Sequence, residues 1–432
     1  MRAMGLRQQA KRGVAAQFYG QAVTIGTQLV VLPLMLWLWG IERYGGWLII
    51  SALPTYLAMG DLGFAQIAGN DMTMRVAKGD AAGAVMVNQT AWLFVGGVCI
   101  LLLIVSALFV ALVPIASIFA ITGADAPDVA LATFLLAAIA IASLAFAVLG
   151  GAMRAVGHYW FCVATGATAQ LIGAILLVLA ALAGFGFVSV ATVTLVGHVG
   201  VLLVASMVFC RVYPQFMPHI GKADLGYLRD MLKPSLAYMS YLASQAISIQ
   251  GMSLVIGAVL GPPAVVVLNA IRTLTRLGRL AAALLIHALE PIFAQLVAQG
   301  EAKRAQRVFR DLLLAAASGT AIYVCGMILL GEPFLAWWTH GAVVGETALF
   351  RLMIFAVVCE VFWFALQTPF VSTNRHGVFA PWFLGLSSAN LLLMWVGAEH
   401  WGVMAAGGAA LALHSAMLAV TIAFIARRGI LQ

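Results

Sequence analysis

The sequence predicts an all-α, polytopic membrane protein of about twelve transmembrane helices, arranged as two lobes of about six. Three observations predict this. Of 432 residues, 63% are hydrophobic and 9% charged, with a mean hydropathy of +1.04, whereas a soluble chain carries about 25% charged residues. Apolar runs long enough to cross a bilayer, about 20 residues each, recur along the whole chain. The basic residues fall on alternate connections between those runs, as topology demands.

The first span, near 14–40, follows Arg2, Arg7, Lys11 and Arg12. It is too long for the apolar core of a signal peptide, and no small-residue cleavage site follows it, so it reads as uncleaved. The next five lie near 44–69, 86–115, 130–153, 158–183 and 188–210. A polar break from Arg211 to Lys233 comes next. The second set lies near 234–260, 264–298, 309–330, 349–373, 378–397 and 401–426. The break divides the chain into lobes 1–215 and 216–432. Tyr44-Gly45 and Gly261-Pro262-Pro263 mark turns, and Pro33, Pro54 and Pro369 mark bends. The span at 264–298 is long enough to tilt or to run past the bilayer.

One side of the membrane receives the N-terminal basic cluster with Arg75, Lys78, Arg154, Arg211, Lys222, Arg229, Lys233, Lys303, Arg304, Arg307, Arg310, Arg375, Arg427 and Arg428. The other receives Arg43 and Arg351. This asymmetry assigns both termini to the cytoplasm. The net charge of +8 is therefore a topology signature and not a nucleic-acid footprint. The basic loops near 211–233 and 301–310 suit anionic lipid head groups. Cys99, Cys162, Cys210, Cys325 and Cys359 lie in or at the ends of spans, without metal or disulfide spacing. They read as small buried hydrophobes.

The two lobes carry matching segments. Gln21-Ala22-Val23-Thr24-Ile25 in the first span parallels Gln245-Ala246-Ile247-Ser248-Ile249 in the seventh. Asp61-Leu62-Gly63-Phe64-Ala65-Gln66-Ile67 parallels Glu290-Pro291-Ile292-Phe293-Ala294-Gln295-Leu296. Two colinear matches favour a repeat. An even number of helices per copy gives both copies one orientation, which predicts substrate between the lobes.

Polar side chains mark helix faces. Gln17, Gln21, Thr24 and Gln28 share a face of the first span, and Tyr238, Tyr241, Gln245 and Ser248 share one of the seventh. Such groups in lipid need partners. They are either interhelical glue or the wall of a cavity offering amides and hydroxyls to a sugar. Intramembrane carboxylates are Asp61, Glu290 and Glu360, each paired, protonated or facing water. Asp61 and Glu290 lie near the cytoplasmic ends of their spans, as caps, as pairs for basic residues or as ion-coupling groups. Glu360 sits deeper and is the competing proton or sodium site.

The most telling segment is the eighth span. Arg272, Arg276 and Arg279 fall on one face, at about 100° per residue, with Asn269, His287 and Glu290 in the same arc. Each arginine at a bilayer centre costs roughly 2.5–3.5 kcal/mol, while an aliphatic residue contributes only about 0.3–0.6. Three arginines therefore offset most of the helix's affinity for lipid, and this face must meet water, protein or an anion. Arg272 lies about 12 Å along the helix from residue 264, within snorkelling reach of the interface, and Arg279 about 22 Å. The stripe is an anion site or a structural ion-pair network. Guanidinium favours the former, because its planar fork matches phosphate.

Tyr44-Gly45 followed by a span closing in Asp61-Leu62-Gly63 resembles the start of the polysaccharide-transporter branch, including O-antigen flippases, of the multidrug/oligosaccharidyl-lipid/polysaccharide flippase superfamily. Leu260-Gly261-Pro262, Pro291, Gln299-Gly300-Glu301 and the Arg154–Gly157 and Asn374-Arg375 turns are similar to the same family, over nearly the whole chain. The resemblance implies two six-helix lobes around a central cavity, as in the superfamily's multidrug exporters. It also implies alternating-access transfer of a polyprenyl-diphosphate-linked oligosaccharide across a bacterial inner membrane. A polysaccharide polymerase and a chain-length regulator would be its partners, and H+ or Na+ its only coupling factor. Compared with lipid II flippases of that superfamily, the chain lacks two C-terminal helices and a buried arginine in spans one and two. That favours an O-antigen or exopolysaccharide unit.

Two other functions compete. A cation-coupled drug antiporter would share the architecture, but it would need an acidic, aromatic pocket. A membrane-embedded polymerase would need a large outer loop with catalytic side chains. The longest outer loop, near Gly331–Ala348, is short, and its Trp337 and Trp338 read as an interfacial belt.

Overall fold

A computed structural model describes residues 6–299, 301–372 and 379–428, with some side chains inside helices excepted. The chain forms two compact units, Met1–Met239 and Ser240–Gln432.

Unit 1 opens with α1 (Leu6–Ala52), interrupted at Gly40, whose φ of 71° and ψ of 174° suit only glycine. The first two expected spans thus join through a kink and not a loop. A 3-10 segment (Leu53–Met59) begins with Pro54 in its first turn. Leu62 and Gly63 then take positive φ, and α2 (Phe64–Ala77) starts. α3 (Ala81–Leu112) is capped by Asp80, which accepts the Gly83 amide at 2.8 Å. The short α4 (Ile115–Ile118), then α5 (Ala126–Ala155), α6 (Tyr159–Leu182) and α7 (Phe187–Val212), complete the bundle. Phe64, Met72, Val95, Leu149 and Met153 lie in its core. α2 crosses α5 where Gly69 meets Gly151: a Cβ on Gly69 would stand 2.9 Å from the Gly151 Cα. Such small residues let backbones close up in lipid, where no hydrophobic force drives helices together. Ile100, Leu101, Ile104, Leu108 and Leu112 of α3 point outward, an apolar surface fit for acyl chains.

The polar break after α7 is folded against unit 1. The Asn88 side chain donates to the Phe216 carbonyl at 3.2 Å, Gln89 accepts the Lys222 amide, and Thr90 accepts the Asp224 amide at 2.9 Å. Tyr227, in the first turn of α8 (Leu225–Ala246), donates to Asp71 at 2.9 Å. Three consecutive side chains of α3 thereby satisfy a connection whose regular structure is a single 3-10 turn, Pro214–Phe216.

In unit 2, α8 passes through a π turn (Ile247–Gly251) into α9 (Met252–Leu260). Gly261, at φ 82°, turns the chain into α10 (Pro262–Thr275), and α11 (Leu277–Ala298) follows. α12 (Ala302–Gly326) continues through a second π turn (Met327–Gly331) into α13 (Glu332–Trp338). α14 (Thr347–Ser372), α15 (Ala380–Trp401) and α16 (Met404–Arg428) end the unit. Trp363, Phe383, Leu413 and Met417 form one core, and Ile286, Leu312, Val357 and Val361 another.

Among the described residues, ten helical segments are long and apolar enough to cross a membrane. The chain is a multi-pass membrane protein. Two helices that meet at the Gly40 kink make up the first of the ten, and the eighth expected span corresponds to α10 and α11, of which α11 lies partly outside the described residues.

Candidate functional site

The arginine stripe lies where α10 stops and α11 starts. α10 buries Val265, Leu268, Ile271 and Leu274 on one face, which leaves Asn269 and Arg272 on another. Arg276 terminates α10 at φ −68°, ψ −10°. The break frees the Thr275 carbonyl, and Tyr323 of α12 donates its hydroxyl to it at 2.8 Å. Gly278 makes room: a Cβ there would meet the Tyr323 ring at 2.7 Å.

The three arginines have three different environments. Arg272 donates to the Ile249 carbonyl in the π turn, to Ser253 Oγ at 3.1 Å and to Asn269 Oδ1. All its partners are neutral. The π turn supplies one of them by presenting a carbonyl sideways, the kind of irregularity found at functional sites. Arg279 is ion-paired, with its Nε 2.8 Å from Glu360 Oε1 of α14, and its guanidinium lies 4.7 Å from the Phe364 ring centroid. Glu360 is 7% exposed. Its other oxygen lies 3.9 Å from His414 Nε2 of α16. Trp363 donates to His414 Nδ1 at 3.1 Å. A nitrogen that accepts a hydrogen bond carries no proton, so the imidazole is neutral with its N–H on Nε2, facing Glu360.

The Arg276 side chain has no hydrogen bond or ion pair among the described residues. It feels Glu360 and Arg279 only through space and is partly exposed. With Gln245, Ser248, Arg272, Glu360 and His414 it lines a cavity of about 50 Å³ inside unit 2. Ser248 also contacts Ser387 of α15, at 2.9 Å between hydroxyl oxygens. The formal charges of Arg272, Arg276 and Arg279 against Glu360 leave the cluster cationic, and water-sized space lies beside it.

Of the other expected site residues, Gln245 and Asn269 belong to this cluster. Gln17, Gln21 and Gln28 are exposed on α1 of unit 1. Next to them, a ladder that includes Thr24 ties α1 to α6, as the interhelical-glue reading expects. Tyr19 meets Thr168 at 3.1 Å, and Gln170 bridges Thr24 and Thr27 at 3.4 and 3.2 Å. Asp61 is buried with both oxygens engaged: the Gly63 and Ala65 amides donate to them at 3.0 Å each, which caps α2. The side chains of Tyr238, Tyr241, His287 and Glu290 lie outside the described residues. No cluster of three His, Cys, Asp or Glu able to hold a metal ion occurs among the described residues. In the sequence, His414 is a histidine within an apolar span and Trp363 an aromatic three residues after Glu360. Their meeting needs α14 packed on α16.

No family model matches the chain, and no curated protein does. Solved structures do. A multidrug-resistance MATE-family transporter of the MOP superfamily, in an inward-facing conformation, superposes with a TM-score of 0.72 at 15% identity over 94% of each chain. The lipid II flippase MurJ, inward closed, gives 0.65 at 11% identity over 96% of this chain and 87% of its own. A MATE protein in a bent conformation gives 0.64 at 15% identity, over 98% and 95%. The chain has the fold shared by these transporters.

Proposed function

We propose that the chain is a flippase that carries a polyprenyl-diphosphate-linked oligosaccharide, an O-antigen or exopolysaccharide unit, across a bacterial inner membrane by alternating access. Arg276 carries this reading. It is a guanidinium in an apolar span, with no carboxylate within 4 Å among the described residues, in a cluster whose formal charge is positive and which borders a cavity. Such a group favours an anion, and a diphosphate offers it bidentate contact. The fold, common to a lipid II flippase and to drug exporters, supports transport by either route. The charge favours an acidic lipid-linked glycan over a cationic drug. A cavity of about 50 Å³ holds only a few waters at about 10–15 Å³ each, so the diphosphate reaches Arg276 when unit 2 opens. A polymerase and a chain-length regulator would act on the exported unit.

The test is complementation of a strain lacking its lipid-linked-oligosaccharide flippase. Arg276→Ala, at wild-type membrane abundance, is expected to abolish glycan display. Normal display by that variant, or drug resistance conferred by the wild type without rescue, overturns the reading in favour of the antiporter.

A further inference from the structure

A second guanidinium, far from the first in sequence, is built in a different way. Arg154 ends α5 in unit 1. Its Nη1 donates to Asn70 Oδ1 at 2.9 Å and its Nη2 to Gln66 Oε1 at 3.0 Å. Gln66 and Asn70 are one helical turn apart on α2, so both carbonyl oxygens face the same fork. The Tyr159 ring lies 4.9 Å from the guanidinium carbon. The side chain is therefore held on two sides by neutral groups. No carboxylate lies within 4 Å of it among the described residues, and its buried Nε has no hydrogen-bond acceptor. By contrast, Arg75 near the end of α2 is neutralised by Asp71 and Asp80, and Arg304 in the first turn of α12 by Glu301.

The surroundings add positive potential. Arg12 of α1 sits 5.3 Å over the Trp160 ring, next to Tyr159. α6 begins at Tyr159 with no side-chain cap, so the amides of its first turn point to the same end of the bundle. A guanidinium has five N–H donors, and Arg154 uses two. An orienting cradle that leaves the charge uncancelled is what a phosphate site requires, because the fork is already set when the anion arrives.

We infer that Arg154, held by Gln66 and Asn70, is a phosphate-binding site at the basic end of unit 1 that receives the diphosphate of the lipid-linked substrate. This rests on the flippase reading above. A diphosphate and a phospholipid head group offer the same chemistry, and the experiment separates them.

The full chain in dodecyl maltoside is titrated with farnesyl diphosphate by calorimetry, as wild type, R276A, R154A and R154K. R154A and R154K are each expected to weaken one site by at least about tenfold, in line with a lost charge-assisted hydrogen bond. R276A leaves that site in place. The Q66A/N70A double variant keeps the charge but frees the side chain, and weakens the same site; it serves where an Arg154 variant fails to fold. Wild-type binding by folded R154A overturns the inference alone. No binding of farnesyl diphosphate by the wild type overturns the flippase reading. Stoichiometric phosphatidylglycerol that occupies the Arg154 site and excludes farnesyl diphosphate assigns it to a membrane phospholipid and overturns its role in substrate capture.

Discussion

The Nε of Arg279 stands 2.8 Å from Oε1 of Glu360, and the carboxylate's other oxygen faces the N–H of His414 at 3.9 Å. One arginine of the stripe is thus committed to the protein's own anion. Arg272 is committed to neutral oxygens. Arg276, between them in sequence, is the one whose guanidinium has no partner among the described residues. One stripe therefore divides into two arginines held by the protein's own groups and one that, in the proposed function, meets the ligand.

The pair Arg279–Glu360 should show the signature of a buried ion pair. Removing either member strands a charge, and E360A or R279A is expected to lose about 3–5 kcal/mol of stability. Replacing both by methionine should recover most of that loss. Thermal unfolding in detergent measures it, and additive losses in the double variant would exclude a direct pairing.

Arg272 and Arg276 should separate in the same assay. R272A leaves the Ile249 carbonyl and the Ser253 hydroxyl without their donor, at a cost of about 1–3 kcal/mol. R276A breaks no side-chain hydrogen bond among the described residues and should melt within about 0.5 kcal/mol of wild type, yet fail to export glycan. Equal destabilisation by the two variants would mean that Arg276 is structural as well.

Asp61 gives a test of ion coupling. Its oxygens accept the Gly63 amide just before α2 and the Ala65 amide in its first turn, at 3.0 Å each, and so hold the start of the helix much as an N-cap does. D61A should cost about 1–2 kcal/mol, and D61N, which keeps one acceptor, about half as much. Export driven by a proton or sodium gradient should survive in D61N. Loss of export in a D61N protein of normal stability would restore Asp61 as a coupling site.

The spans and the stripe were legible because both rest on one-dimensional quantities: the length of an apolar run and the cost of a charge within it. What escaped the sequence reading depends on where helices break and which ones pack. Gly40 turns one helix into the next beside Glu42 and Arg43, so the first two expected spans meet at a kink with no loop between them. Arg276 sits within the stripe's 3.6-residue period, and only the unpaired Thr275 carbonyl, met by Tyr323 from 48 residues away, marks the break. His287 shares the stripe's face in sequence, but the imidazole that meets Glu360 is His414, 54 positions further on, brought there by α14 against α16. Arg154 read as one more topology-setting charge, because its difference lies in two amides 84 and 88 residues earlier.

The clasp outside the bilayer should impose a pH dependence with two limbs. Asp71 accepts from Arg75 Nε and from Tyr227, each at 2.9 Å, and Arg75 also reaches Asp80 at 3.0 Å. The Gly83 amide, and then Arg75, hold the Asp80 carboxyl below the usual carboxylate range. A lowered folded value means its contribution is complete above the unfolded pKa, about 4, and is lost as pH falls through the folded one. Burial, and then the hydrogen bond to Asp71, push the Tyr227 phenol upward. Its contribution is complete below about pH 10 and is lost as pH climbs from there. The melting-temperature gap between wild type and D80N should accordingly be flat at neutral pH and narrow in acid, while the gap to Y227F narrows in alkali. Gaps that hold constant across both ranges would show that neither group's ionisation is linked to folding of the 213–227 connection.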